Sequence, residues 1–193
     1  MSELSAVLIG GSAGSVDALQ KILSDLPARF SLPIVVVQHL PANLRVNLDM
    51  VYGPHSDMRL EEAEDKMRLE AGHVYFAPAS YHLLVEKDLS LSLSVDELVH
   101  FSRPSIDVLF ESAAVSLRDR CAAILLTGAN EDGAKGLKFL RERGAVTIVQ
   151  DPATAQVKMM PEAALLLDPG HHVVPLEKIG AELLRFERAD DYE

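Results

Sequence analysis

The chain has 193 residues, 48% of them hydrophobic, and a formal net charge of −11 at pH 7. This length suits one domain with a substantial core, and the hydrophobic fraction excludes a disordered chain. The negative charge argues against nonspecific nucleic-acid binding, which needs clustered Lys and Arg. No apolar run approaches the roughly 18 residues of a membrane span, and the first residues lack the pattern of a secretory signal. A single cysteine, Cys121, suits a reducing compartment. We therefore expect a cytoplasmic protein with no nucleic-acid partner and no membrane insertion.

Short apolar and β-branched runs alternate with helical patterns along the chain. The runs that predict strands are residues 6–9, 33–38, 74–77, 122–127, 145–149 and 172–174. The helical patterns are residues 16–23, 104–117 and 133–143. Strand–helix–strand alternation predicts right-handed crossovers. The expected fold class is therefore α/β, a doubly wound and mainly parallel sheet with helices on both faces.

One stretch departs from this alternation. Residues 82–85 and 89–95 flank Glu86-Lys87-Asp88, which predicts an antiparallel hairpin with one face in water. The acidic run at residues 61–65 is expected to be a solvated loop face. The sequence has no internal repeat and no linker, so we predict a single domain over residues 1–193.

The first candidate for chemistry lies between the first predicted strand and the first predicted helix. The sequence there is Gly10-Gly11-Ser12-Ala13-Gly14-Ser15, and Gly10-x-Ser12-x-Gly14 fits a nucleophile elbow in its strand–turn–helix setting. The helix N-terminus would offer free N–H groups to a developing oxyanion. A Gly/Ser loop before a helix is also a general anion cradle. A noncatalytic phosphosugar- or nucleotide-binding module therefore remains an alternative.

Two further strands end in the residues that a serine nucleophile requires. His39 follows the second predicted strand, and Asp132 lies in a Gly-rich loop after the strand at residues 122–127. Because parallel strands bring their carboxyl ends to one edge of a sheet, Ser12, His39 and Asp132 are expected to converge. His39 would take the serine proton, and Asp132 would orient the imidazole. The alternative for His39 is a histidine satisfied locally at a loop start, and for Asp132 a helix N-cap.

The sequence lacks the His and Cys spacings that are typical of metal sites. Neither H-x-x-x-H nor C-x-x-C occurs, and adjacent residues such as His171 and His172 point apart along a strand. We therefore predict neither a metal nor a cofactor.

Taken together, these motifs resemble the catalytic domain of the chemotaxis protein-glutamate methylesterases (CheB). The segments that carry the resemblance are IGGSAG (9–14), VQHLP (37–41), RPSIDVLF (103–110), LTGANEDGA (126–134), VQD (149–151) and MPEA (160–163). The resemblance implies a hydrolase that cleaves glutamate γ-methyl esters on the cytoplasmic helices of methyl-accepting chemoreceptors and releases methanol. It also implies deamidation of certain receptor glutamines and a catalytic triad of Ser12, His39 and Asp132.

Three features depart from the family pattern. Ala13 stands where Thr is usual, and Gly14-Ser15 replaces the Gly-Gly that usually follows it. Ala129-Asn130 replaces Met-Gly in the loop that begins at Thr127. An oxyanion hole formed by the backbone N–H groups of Ala13 and Ala129 would survive both changes, because it uses no side chain. The third departure is the expected absence of a receiver domain, which predicts an open active site and any regulator acting in trans. A serine esterase or amidase with a substrate outside chemotaxis is therefore a second alternative.

Two further residues have both a functional and a structural interpretation. Arg103 is a candidate cleft residue that would steer an acidic receptor helix, and a salt bridge at the helix start is its alternative. Met160 is a candidate substrate contact, and core filling is its alternative. Asp107 is expected to be a first-turn helix acid.

Overall fold

The computed structural model describes residues 3–39 and 47–188, so Leu40 and Pro41 of the 37–41 motif lie outside the described residues. The strands are β1 (Ala6–Gly11), β2 (Ile34–Gln38), β3 (Arg59–Glu62), β4 (His73–Phe76), β5 (His82–Val85), β6 (Leu91–Ser94), β7 (Cys121–Leu125), β8 (Val146–Gln150) and β9 (His172–Val174). The α-helices are α1 (Ser15–Ser24), α2 (Leu48–Val51), α3 (Ile106–Ser116), α4 (Ala134–Glu142), α5 (Met159–Leu167) and α6 (Leu176–Arg188). Short 3-10 turns occupy Gly53–His55 and Arg118–Arg120.

Seven strands form one sheet in the order β3-β4-β2-β1-β7-β8-β9. Every pairing in this sheet is parallel. The predicted doubly wound α/β fold is thereby confirmed. From β1 the chain crosses to β2 on one side, whereas β7 pairs with β1 on the other. This reversal is a topological switch point, where open α/β sheets hold their ligands outside the carboxyl ends of the strands.

Each face of the sheet packs against its own layer of helices. Along β1, Ala6 and Leu8 belong to the core built with α3, α4 and α5. Val7 and Ile9 alternate with them and belong to the core built with α1 and α6. Both faces of β1 are therefore covered, which explains its continuous apolar sequence without alternating polar residues.

The predicted hairpin is also confirmed. β5 and β6 pair antiparallel as a separate two-stranded sheet, with Leu83 opposite Leu93. This hairpin lies over α3, where the backbone N–H of Val85 donates to Ser112 Oγ at 3.0 Å. Among the described helices, none combines the length and apolar character that crossing a bilayer requires.

The expectation of a loop at residues 61–65 is wrong. Glu61 and Glu62 belong to β3, which pairs with β4 in parallel at the edge of the sheet. Ala63 is buried, and its N–H donates to the carbonyl of Phe76 at 2.8 Å. Charged side chains are common on edge strands because they discourage pairing with other chains. They also remove the β-branched pattern by which a strand is predicted.

The approach of α4 to β7 and α3 generates a stability prediction. Gly133 precedes α4 with φ +93°, and a Cβ there would lie 2.6 Å from side-chain atoms of Ile106 and Leu125. A Gly133→Ala variant combines backbone strain with overpacking, so we expect its free energy of unfolding to fall by about 2–4 kcal/mol in urea denaturation. Gly53→Ala is the matched control, because its Cβ would meet only Asp49 Cβ at 4.0 Å. Equal losses in the two variants would contradict the prediction.

Candidate active site

Ser12 and His39 follow the last paired residues of two adjacent strands. Gly11 of β1 is paired with Gln38 of β2, and the N–H of His39 donates to the carbonyl of Gly11 at 3.0 Å. On the other side, the N–H of Ser12 donates to the carbonyl of Thr127 at 2.9 Å, just beyond β7. Ser12 therefore lies between the ends of β2 and β7, at the switch point of the sheet.

The structure brings His39 and Asp132 into direct contact. His39 Nε2 lies 2.8 Å from Asp132 Oδ2, with the carboxylate fully buried and 12% of the imidazole exposed. Asp132 does not cap α4, because the N-cap is Gly133 and no side chain serves it. Among the described residues, no hydrogen bond joins Ser12 Oγ to His39. Hydrogen bonds to a nucleophile are often long without substrate and shorten when substrate binds.

The Asp132 carboxylate faces the N-terminus of α3. Oδ1 accepts hydrogen bonds from Ser105 Oγ at 2.8 Å and from the N–H of Asp107 at 3.0 Å. Oδ2 accepts one from the N–H of Ile106 at 2.7 Å in addition to the contact with His39. Burial alone would raise the pKa of Asp132, but these donors outweigh it and hold the pKa below its ordinary value. Asp132 is thus an anion that can stabilise a protonated imidazole.

A second His–Asp pair lies beside the first. Asp107 belongs to the first turn of α3, as expected, but it is buried and accepts from the N–H of Gly136 at 2.7 Å. Its other oxygen lies 3.1 Å from His100 Nε2. Burial raises the pKa of Asp107, and the nearby charge of Asp132 acts in the same direction, against the hydrogen bonds from Gly136 and His100. His100 was not predicted as a site residue, because no local sequence pattern joins it to Asp107.

The side chains around Asp107 also form the candidate metal site of the described residues. Within residues 3–39 and 47–188, His100, Asp107 and Asp132 bring ligand atoms within 4.8 Å of one another. These atoms already contact one another, His39 or backbone N–H groups. The prediction that the protein uses no metal stays a prediction.

Ser105 connects α3 to the β5–β6 hairpin. It is the N-cap of α3, with its hydroxyl accepting from the N–H of Val108, and its own N–H donates to His82 Nδ1 at 3.2 Å. His82 is buried, and its Nε2 contacts the carbonyl of Glu97 at 2.9 Å. Because Nδ1 accepts, the ring proton is on Nε2. His82 therefore supports the residue that binds Asp132, a role for which the sequence offered no signal.

Thr127 ties together the loops around Ser12. Its Oγ1 donates to the carbonyl of Ala13 at 2.9 Å and accepts from the N–H of Val157 at 2.8 Å. Its own N–H donates to Gln150 Oε1 at 2.9 Å. Thr127 and Gln150 belong to the 126–134 and 149–151 motifs, although neither was predicted as a site residue. They set the distance between the serine loop and the loop that contains Ala129.

The two residues predicted to form an oxyanion hole lie on the exposed side of this framework. Ala13 and Ala129 are both exposed. In the described part of the chain, neither backbone N–H donates to another residue. Both N–H groups therefore remain available as donors.

The two predicted cleft residues have other contacts. Arg103 Nη1 donates to the carbonyls of Val95 at 2.7 Å and Asp96 at 2.9 Å, so it braces the segment before α3. The structure differs from the prediction for Met160, whose side chain is fully buried. A Cβ on Gly128 would lie 2.6 Å from its Sδ and Cε atoms. Met160 therefore fills the core beneath the loop and does not line the cleft.

The chain is similar to known proteins along most of its length. Residues 7–183 match the family described as CheB methylesterase. A Leptospira interrogans protein, provisionally named protein-glutamate methylesterase/protein-glutamine glutaminase, is 44% identical over 183 residues, which are 95% of either chain. The protein-glutamate methylesterase FrzG of Myxococcus xanthus is 38% identical over 93% of this chain, which spans 54% of that protein.

A solved structure is similar throughout. The crystal structure of the Thermotoga maritima CheB methylesterase catalytic domain superposes with a TM-score of 0.89. The two sequences are 31% identical, and the superposition covers 95% of this chain and 99% of the other. The sheet order and the hairpin described above are therefore those of a known catalytic domain.

The buried charge of Asp132 generates a pH-dependent prediction. Because its folded-state pKa lies below the ordinary value of about 3.9, the carboxylate contributes stability that is present above about pH 4. That stability is lost as pH falls through the folded-state pKa. We expect Asp132→Asn to lower the free energy of unfolding by about 3–5 kcal/mol at neutral pH.

The measurement is urea denaturation of wild type and Asp132→Asn across the acid range. The difference between the two proteins should shrink below about pH 4, where Asp132 becomes protonated first in the unfolded chain and, at lower pH, in the folded protein. A difference that stays constant down to about pH 3 would show that the charge of Asp132 contributes nothing to stability.

Proposed function

We propose that this chain, which belongs to the CheB methylesterase family, hydrolyses glutamate γ-methyl esters of methyl-accepting chemoreceptors with Ser12 as nucleophile. The observation that carries the proposal is the 2.8 Å contact between His39 and the buried Asp132, at the sheet edge where Ser12 lies. The names of the relatives support glutamine deamidation as a second reaction at the same site. We place the reaction in the cytoplasm, with a protein as substrate and no cofactor.

The first half of the reaction forms an acyl-enzyme. Ser12 Oγ attacks the ester carbonyl carbon, while His39 accepts the hydroxyl proton. Because Asp132 holds Nε2, the proton goes to Nδ1, and the carboxylate stabilises the imidazolium that results. The negative oxygen of the tetrahedral intermediate accepts hydrogen bonds from the N–H groups of Ala13 and Ala129. The C–O bond then breaks, and methanol leaves with the proton from His39.

The second half returns the enzyme to its starting state. Water attacks the acyl carbonyl carbon while His39 again takes a proton. The bond to Ser12 Oγ breaks, Oγ recovers its proton from His39, and the glutamate carboxyl group is released and loses its remaining proton to water. With a glutamine substrate the same steps apply, except that ammonia leaves in the first half.

The geometry gives little support to an anion-binding module. The cavity beside the N-terminus of α1 has a volume of about 280 Å³ and is lined by Gly14, Asp17, Ala18, Thr127, Gln150, Ala153, Thr154, Ala155, Gln156 and Leu176. None of these residues is a lysine or arginine, and Asp17 is itself anionic. An anion cradle would need neutral or positive surroundings as well as free N–H groups. An ester substrate is neutral, so it does not require such surroundings.

The deciding experiment measures methanol release from methylated chemoreceptor membranes. Ser12→Ala should lower turnover at least about 10³-fold, because the nucleophile is lost. Ser24→Ala is the matched control, since this exposed serine lies at the other end of α1 and its hydroxyl donates to the carbonyl of Lys21. Wild-type protein that hydrolyses simple esters but releases no receptor methanol would favour the alternative of a hydrolase outside chemotaxis.

A second set of variants tests whether the residues act as one unit. His39→Ala should cost about as much as Ser12→Ala, and the double variant should lose little more, because both residues serve the same proton transfer. The measurement is the same turnover assay on three purified variants. Losses that multiply in the double variant would show that Ser12 and His39 do not share one step.

A further inference from the structure

A short loop beside the site exposes apolar side chains to water. Residues 95–102, here called the 95–102 loop, connect the β5–β6 hairpin to α3. Phe101 is 98% exposed, Val95 is 67% exposed and Leu98 is 58% exposed. A phenylalanine almost wholly in water gains nothing from the fold, and apolar side chains clustered in this way are typical of interaction sites.

The tip of this loop places Phe101 in an unfavourable backbone conformation. Val99 and Ser102 exchange backbone hydrogen bonds of 3.1 and 2.8 Å, so His100 and Phe101 form a two-residue hairpin turn. Their φ values are +49° and +59°. Turns of this kind favour Asn and Gly at both central positions, because other side chains crowd the backbone there. An aromatic residue at this position therefore points to a function outside folding.

Three side chains hold the loop in place through hydrogen bonds. Arg103 Nη1 donates to the carbonyls of Val95 and Asp96. His82 Nε2 contacts the carbonyl of Glu97, and His100 contacts Asp107. These hydrogen bonds fix the loop in the conformation that exposes Phe101.

The anchor of the loop is also part of the active-site cluster. Nε2 of His100 lies 3.1 Å from the Asp107 carboxylate, and both residues bring polar atoms within 4.8 Å of Asp132. Asp132 in turn contacts His39. Phe101 follows His100 in the chain, so its exposed ring lies close to the cluster that contacts His39.

We infer that the 95–102 loop docks the helix of the protein substrate that carries the glutamyl ester, with Phe101 and Leu98 packing against apolar side chains of that helix. This inference rests on the proposed function. A helix that presents one side chain to Ser12 also covers the surface beside it, and residues three and four positions away share its face. The loop also exposes Asp96 and Glu97 and contains no Lys or Arg, so its contact with the helix depends on its apolar side chains.

The test separates docking from chemistry. In Phe101→Asn the ring is removed and the residue becomes one that tolerates positive φ, so thermal stability should be unchanged or raised. On methylated receptor membranes, kcat/KM should fall about 10-fold through KM, as expected when an aromatic anchor is lost. On a small substrate such as N-acetylglutamate γ-methyl ester, kcat/KM should equal that of wild type, because such a substrate does not reach the loop.

The matched control is Leu166→Ser, which removes an apolar side chain of 89% exposure in the last turn of α5. It should leave both activities unchanged. An unchanged receptor KM in Phe101→Asn, or an equal loss on the small ester, would overturn the docking role alone. A wild-type protein that hydrolyses the small ester but not the receptor ester would overturn the proposed function and the docking role with it.

Discussion

The site is organised around the hydrogen bonds between the buried Asp132 carboxylate and the N-terminus of α3. A fully buried carboxylate is costly unless several donors replace its water. Here the replacements come from the first residues of α3, from the Ser105 cap and from His39. One group thus joins the end of β2, the start of α3 and the loop after β7. The fold and the orientation of the imidazole depend on the same hydrogen bonds.

This arrangement requires α3 to approach the sheet and α4 very closely. A Cβ on Gly10 would collide with Ile106, and one on Gly136 would lie 2.9 Å from the carbonyl oxygen of Asp107. Glycine at these positions lets the first turn of α3 reach Asp132 and lets the N–H of Gly136 reach Asp107. The hydrogen bonds of the polar cluster therefore depend on the close packing of α3. A larger residue at either position would displace the helix that holds the carboxylate.

The nucleophile has a separate support on the opposite face of the sheet. Tyr52 Oη donates to Gln38 Oε1 at 2.6 Å, and Gln38 Nε2 donates to Ser15 Oγ at 2.7 Å. Ser15 Oγ donates in turn to the carbonyl of Ser12 at 2.5 Å. Burial raises the pKa of Tyr52 to about 12, so its hydroxyl keeps its proton and donates across the physiological range. This buried chain ties the Ser12 loop to β2, the strand that leads to His39.

The sequence by itself determined the alternation of strands and helices and the placement of Ser12, His39 and Asp132 at strand ends. Those features depend on local periodicity and on chain direction, and a single segment of the sequence is enough to recognise both. The pairing of His100 with Asp107 and of His82 with Ser105 was decided only by the packing of α3 against the hairpin and α4. The exposure of Phe101 and the burial of Met160 were decided in the same way. Such contacts join residues whose local patterns contain no information about one another, so only the tertiary structure could bring them together.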